Sequence, residues 1–236
     1  FRLRFTEIVK GQSAVASVLK ALSTETNVRI DEKSTEPTSS NIYLLKMSYF
    51  LRPSTTIYGA QQLLQDIYLY EGQQDFSMRL RLNEKRGLSQ YVSANERTCY
   101  SEQSLRIVTQ LVPEIGNQTD ILHKKDQLEA NVFSNRERDI TAIQLKTDFS
   151  YRPTNILEVG FVLGLARSSN SSLLNPADAD MNDQTLRLLY SFPTVGQLCF
   201  ELTREEAVVH SNNLSAVPYE LTEGKVSGKS YLWTGS

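Results

Sequence analysis

The chain has 236 residues, of which 27 are acidic and 25 basic, with a formal net charge of −2 and 40% hydrophobic residues. This near-neutral balance excludes the basic footprint of a nucleic-acid-binding protein, and no apolar run reaches the ~20 residues that a membrane-spanning helix needs. Two cysteines, Cys99 and Cys199, are too few for a disulfide-dense scaffold or a thiolate metal cluster, and the sequence leaves open whether they pair.

The N-terminal part of the sequence gives mixed signals. The apolar residues of Ser13–Leu22 recur at helical spacing and predict a short amphipathic helix. Ser23–Ser40 is mostly polar and predicts a loop, whereas Asn41–Leu51 is apolar on both faces and predicts a strand. Gly59–Leu69 fits a helix or a distorted strand, and we favour a strand from Asp66 to Tyr70.

Apolar and polar residues alternate along much of the remaining sequence, and this period of two predicts strands with two different faces. Such strands are predicted at Asp75–Asn83, Ser104–Val112, Ala142–Arg152, Ile156–Arg167, Thr185–Phe192, Gln197–Thr203 and from Lys229 onwards. Each is bounded by turn-forming or polar sequence, so we expect hairpins.

The predicted connections are of two kinds. Tight turns, most of them marked by proline, are predicted at 52–55, 71–74, 112–117, 152–155 and 192–196. Long polar loops are predicted at 84–103, 126–139, 168–184 and 204–229. Pro113, Pro153 and Pro193 follow one another at intervals of 40 residues, so one hairpin and one long loop recur together.

This pattern predicts an all-β fold, an antiparallel up-and-down meander of about 10–12 strands in a single domain over residues 1–236. Alternating strands with short turns on one side, long loops on the other and aromatic residues near the turns are typical of a transmembrane β-barrel. A soluble antiparallel sandwich gives the same alternation, and a propeller has a similar repeat but needs four strands in each. We favour the barrel, or an arc of one, and expect the sequence to be a piece of a longer protein or a mature form.

Two sets of residues follow from the barrel hypothesis. Charged side chains on the polar face of the strands are expected to line a wet lumen: Arg79, Arg81, Arg106, Lys146, Asp148, Glu158, Arg187 and Glu201. Aromatic side chains near strand ends are expected to form an interfacial girdle: Tyr49, Phe50, Phe149, Tyr151, Tyr190, Phe192, Tyr231 and Trp233. Gly160 and Gly164 lie on the polar face, where they leave room for neighbouring side chains.

The segments TDFSYRPTNILEVGFVLGLARS, YSFPTVGQLCFELTREE and YELTEGKVSGKSYLWTGS resemble strands of the large outer-envelope β-proteins of Gram-negative bacteria. The resemblance extends from about Asp75 to the end of the sequence and rests on its polar-alternating hairpin repeat. It implies an outer-membrane or cell-surface location and carries over no catalytic or ligand-binding residue.

Chemistry-bearing motifs are few. His123 and His210 are the only histidines, no GxSxG motif or Gly-rich phosphate loop is present, and Asp178–Asp183 lacks the glycine and glutamate of a calcium loop. The basic residues around Lys124 and Arg136 are expected at loop ends, where a barrel rim would bring them to lipopolysaccharide. We therefore expect no enzyme activity, metal or cofactor, and no nucleic-acid partner.

Three functions remain open from the sequence. The first is an integral outer-membrane protein that acts as a narrow, porin-like pore or as the anchor of a cell-surface protein. Its expected partners are the lipid bilayer, lipopolysaccharide and other envelope proteins. The second is a soluble β-sandwich binding module on the cell surface. The third is a hydrolase at a barrel rim, with His210 near Glu205 and Glu206 as its candidate base.

Overall fold

The computed structural model describes residues 2–4, 6, 14–34, 56–73, 75–91, 94–132, 136–172, 176–192, 194, 196–213 and 217–235. The strands are β1 (Arg2–Arg4), β2 (Leu22–Ser34), β3 (Thr56–Leu69), β4 (Phe76–Gln90), β5 (Asn95–Val112), β6 (Ile115–Ala130), β7 (Arg138–Thr154), β8 (Leu157–Asn170), β9 (Ala177–Phe192), β10 (Gly196–Ser211) and β11 (Gly228–Gly235). The helices are α1 (Ala14–Lys20) and α2 (Tyr219–Thr222).

The strands form one 11-stranded sheet in which each strand pairs with its sequence neighbours, from β1 at one edge to β11 at the other. Every described pairing is antiparallel, so the predicted all-β, up-and-down meander is confirmed. In the described part of the chain the sheet is not closed, because β1 and β11 do not pair with each other.

The local predictions for the N-terminal part have mixed outcomes. The helix predicted over residues 13–22 is confirmed as α1, although Val15 and Val18 are 69% and 47% exposed. The strand predicted at Asp66–Tyr70 is confirmed as the end of β3. The strand predicted at Asn41–Leu51 and the turn at 52–55 lie outside the described residues.

Two of the predicted long loops, 84–103 and 168–184, are wrong over most of their length, whereas half of 126–139 and most of 204–229 lie outside the described strands. Residues 84–90, 126–130, 177–184 and 204–211 continue strands, and the loop predicted from Ser23 is β2 as far as Ser34. The composition of these stretches is mainly polar and resembles that of loops, but they contain buried apolar residues such as Leu88, Leu128, Ala179 and Met181, and their backbones pair in register. The connections at this end are shorter than predicted, and the longest described one joins β10 to β11.

Tight turns at the opposite end of the sheet confirm the predicted hairpins. Pro113 and Glu114 connect β5 to β6, and Asn155 and Ile156 connect β7 to β8. The β3–β4 hairpin turns through Gly72, whose φ of 78° is in the region that glycine adopts without strain. Neither described helix is long and apolar enough to cross a bilayer.

Candidate functional site

In the part of the sheet nearer the tight turns, the strand register separates two faces of different chemistry. Residues that are opposite each other in neighbouring strands share a face, and alternate residues along a strand share it too. The row Arg79, Arg106, Asp120 and Lys146 defines one face, which we call the charged face. The row Leu80, Leu105, Ile121, Leu145 and Leu165 defines the other, which we call the apolar face.

The register places all of the predicted lumen residues on the charged face. Arg81 is two residues from Arg79, and Asp148 is two from Lys146. Arg187 and Glu201 are opposite each other, and Arg187 is also opposite Gly160, two residues from Glu158. The charged residues identified from the sequence therefore share one surface of the sheet.

Large apolar side chains on the apolar face remain exposed to solvent. On β7, Ile143 is 57% exposed and Tyr151 is 49% exposed, and on β8 Phe161 and Leu165 are each 42% exposed. From Ile143 to Tyr151 this apolar stretch extends about 27 Å along the strand. In an outer-membrane barrel, where strands tilt by about 40° and the apolar band is about 25 Å tall, a stretch of this length would cover about 21 Å along the membrane normal.

The described girdle aromatics also lie on the apolar face, and all of them except Tyr231, which is opposite Arg204 in the middle of β10, lie towards the end with the tight turns. Phe149 is opposite Phe161, in the same row as Leu186, Leu202 and Trp233. The rings of Tyr190 and Phe192 meet edge to face, with their centroids 4.7 Å apart. Trp233 is 73% exposed. The predicted girdle residues Tyr49 and Phe50 lie outside the described residues.

Ion pairs organise the charged face, beginning with a buried carboxylate on β3. Asp66 is only 4% exposed and accepts hydrogen bonds from both Arg79 and Arg81 on β4, at 2.9–3.1 Å. The guanidinium of Arg79 also lies over the ring of Tyr68, 5.3 Å from its centroid. One acid therefore fixes two bases, and this group carries a net positive charge.

Further pairs extend the network towards β9. Arg106 donates to Asp120 at 2.6 Å, and Arg187 on β9 reaches across β8 to donate to Asp148 on β7 at 2.6–2.7 Å. The crossing passes Gly160, where a Cβ atom would come within 3.1 Å of the Arg187 side chain. Because Gly160 has no side chain, it leaves the space through which the Arg187 side chain crosses β8.

A segment between β10 and β11 lies on the charged face. We call residues 217–227, which include α2, the docked segment. Its Leu221 is fully buried against Ile140, Ala177 and Ala179, and the Ser168 hydroxyl donates a 2.6 Å hydrogen bond to the Leu221 carbonyl. This cluster holds apolar residues on a face that is otherwise lined with charges.

Charged contacts surround this apolar anchor. Arg138 pairs with Glu220 at 3.0 Å, and Lys225 donates to Asp183 at 2.6 Å. Glu223 accepts hydrogen bonds from Lys124 at 3.2 Å and Gln144 at 3.0 Å. Burial alone would raise the pKa of Glu223, but these hydrogen bonds and the charges of Lys124 and Lys225 hold that pKa below its ordinary value.

The α2 turn depends on backbone conformations that few residues adopt. Glu223 ends the helix with a φ of 53°, and Gly224 follows with a φ of 81°. A Cβ atom at Gly224 would come within 2.6 Å of the Tyr219 ring. Glycine at position 224 therefore lets the chain reverse and bring Lys225 back to the sheet.

Several other predicted placements are corrected by the strand boundaries. His210 and Asp178–Asp183, which fall within predicted loops, lie in β10 and β9, and His123, which is beside a predicted loop, lies in β6. Lys124 also lies in β6 rather than at a loop end, and its side chain reaches Glu223. These positions were misassigned because polar strands resemble loops in composition.

Other chemistry is limited in the described residues. Cys99 and Cys199 are free thiols. Among the described residues, no cluster of three or more His, Cys, Asp or Glu side chains is arranged to hold a metal ion.

Sequence reasoning missed Asp66, Asp120 and the docked segment. Asp66 was assigned to a strand without a role, and its partners are 13 and 15 residues away in the sequence. The alternation of charges on β4 signals that the strand has a polar face, but only the register identifies which acid opposes those arginines. The docked segment has no periodic pattern that would reveal it.

Comparison with known proteins does not assign this chain to a family. No protein-family model matches its sequence, and no curated protein matches it significantly.

Proposed function

We propose that this chain is an integral outer-membrane β-barrel protein of a Gram-negative bacterium, or an arc of such a barrel, acting as a narrow pore or as the membrane anchor of a cell-surface protein. The supporting observation is the exposed apolar face, whose side chains on β7 and β8 stay uncovered over about the length that a bilayer needs. A soluble sheet would bury such a face against a second layer.

The opposite face fits the same proposal. A lumen contains water and tolerates charge, whereas lipid penalises unpaired charged groups by several kcal/mol. The network of Asp66, Asp120 and Asp148 with their arginines lies on the face away from the apolar side chains. A sheet of about this many strands encloses a narrow interior, since wide aqueous pores need about 16 strands.

The proposal is tested by the behaviour of the protein in membranes. The chain, expressed with an outer-membrane targeting signal, should partition into the membrane fraction and require detergent for extraction. It should also migrate differently on a gel before and after heating, because a sheet with internally paired backbone resists unfolding by detergent. A monodisperse protein that stays in solution without detergent would contradict the proposal and favour the soluble binding module.

A further inference from the structure

The docked segment touches a wide portion of the charged face. Its contacts reach β6 through Lys124, β7 through Arg138 and Gln144, β8 through Ser168, β9 through Asp183, and β10. Every side chain contacted lies on the charged face by register. A segment that only connected two adjacent strands would have no reason to cross the face as far as β6.

The way the segment is attached is also informative. One fully buried aliphatic side chain, Leu221, provides the apolar anchor by packing against Ile140 of β7 and Ala177 and Ala179 of β9, and Val217 of the segment packs against the same cluster. Other contacts are ion pairs whose partners keep part of their surface exposed, such as Arg138 with Glu220 and Lys225 with Asp183. Partly exposed ion pairs contribute little to stability, so most of the docking energy rests on this apolar cluster, in which Leu221 is the fully buried member.

We propose that residues 217–227 form a resident plug that closes the interior of the sheet, and that displacement of this plug opens a passage for small hydrophilic solutes. This inference rests on the proposed membrane function. In a narrow interior a segment of this length, seated across strands β6 to β10, leaves little open cross-section. Displacement uncovers Lys124, Gln144 and Asp183, which are polar groups suited to a wetted passage.

The test compares two double variants of the full chain in planar lipid bilayers. L221A/E223A removes the apolar anchor and the acceptor for Lys124 and Gln144. Y219A/V226A is the matched control, because Tyr219 and Val226 belong to the same segment but are 72% and 86% exposed. We expect a several-fold higher single-channel conductance for L221A/E223A than for the wild type, and no change for Y219A/V226A.

Release of the segment is measured independently by tryptic cleavage after Lys225, which both double variants retain. Loss of a fully buried leucine side chain is expected to accelerate this cleavage by about tenfold or more, because it shifts the local opening equilibrium. Faster cleavage together with unchanged conductance would overturn the plug. Unchanged cleavage and unchanged conductance would also overturn it, since Leu221 would then not hold the segment in place.

The outcomes separate this inference from the membrane proposal. If the wild-type chain fails to insert into membranes, the proposed function fails and the plug fails with it. If the wild-type chain inserts and shows the same conductance as L221A/E223A, only the plug fails, and the chain acts as an anchor whose interior is closed by other groups.

Discussion

At the scale of single residues, Asp66 has the most consequential position on the charged face. Its buried carboxylate lies between two guanidinium groups that would otherwise repel each other. Removing one member of a buried charge network leaves the others without compensation, at a typical cost of 3–5 kcal/mol. Arg79 and Arg81 keep about a third of their side-chain surface exposed, so water offsets part of that cost.

We therefore predict that Asp66→Asn lowers the free energy of unfolding by about 2–3 kcal/mol. Urea titration of detergent-solubilised protein, followed by the fluorescence of Trp233, measures this change. Asp31→Asn is the matched control, because Asp31 pairs with Arg29 at side-chain exposures of 50% and 74%. That exposed pair should contribute less than about 1 kcal/mol, and equal effects of the two substitutions would show that Asp66 has no special role.

There is a clear physical limit to what the sequence alone predicts about the contacts of a single residue. Arg79 and Arg81 could be assigned to a polar face from the sequence, because alternation within one strand is local information. Their shared partner could not, because it depends on which residues of β3 and β4 are opposite each other. Gly160 is an example. The sequence indicates that it leaves free space on the polar face, but only the register shows that the Arg187 side chain occupies this space.

At the scale of elements, the docked segment should be held less firmly on the sheet at acid pH. The pKa of Glu223 is held below its ordinary value of 4.5, so its ionised form stabilises the docked state above about that pH. This contribution is lost as the pH falls through the lowered pKa. Lys124 and Gln144 contact Glu223 directly, while Glu220 pairs with Arg138, and Asp183 and Glu205 pair with Lys225.

The predicted result is faster hydrogen exchange in residues 217–227 as the pH falls below about 4.5, after correction for the intrinsic exchange rate. In Glu223→Gln the exchange at neutral pH should already be faster, and its acid-dependent increase should be smaller. If Glu223→Gln and the wild type show identical pH profiles, Glu223 does not contribute to the acid response.

Element boundaries illustrate why only part of the fold was predictable. Strands whose two faces differ, such as β8, could be found from alternation alone. The distal halves of β4, β6 and β9 could not, because most of their residues are polar and their buried apolar residues, such as Leu88, Leu128 and Ala179, are few or small, so the composition resembles that of a loop. In those stretches, pairing with a neighbouring strand determines the backbone conformation.

At the scale of the whole molecule, an introduced charge should have different effects inside and beyond the apolar stretch of one face. Leu145 and Thr141 lie on the same face of the same strand, but only Leu145 lies within the apolar stretch of β7. Arginine on the lipid face of a barrel costs about 2–4 kcal/mol at the membrane midplane and about 0–1 near the interface. We predict that Leu145→Arg strongly reduces the amount of heat-modifiable protein in the membrane fraction.

Thr141→Arg should leave that amount nearly unchanged, because its position lies beyond the apolar stretch. The pair of variants also separates the two main functional hypotheses. Leu145 is 37% exposed, so in a soluble protein an arginine there would extend into water and both variants would accumulate equally.

The odd number of strands in the described part of the chain has a geometric consequence for any closed form of this sheet. In a meander, consecutive strands reverse direction, so the first and the eleventh run the same way. Joining those two edges directly would create a parallel seam, as in the 19-stranded mitochondrial channel, whereas bacterial single-chain barrels have even strand numbers. An all-antiparallel cylinder that contains this sheet therefore needs an odd number of additional strands between β11 and β1.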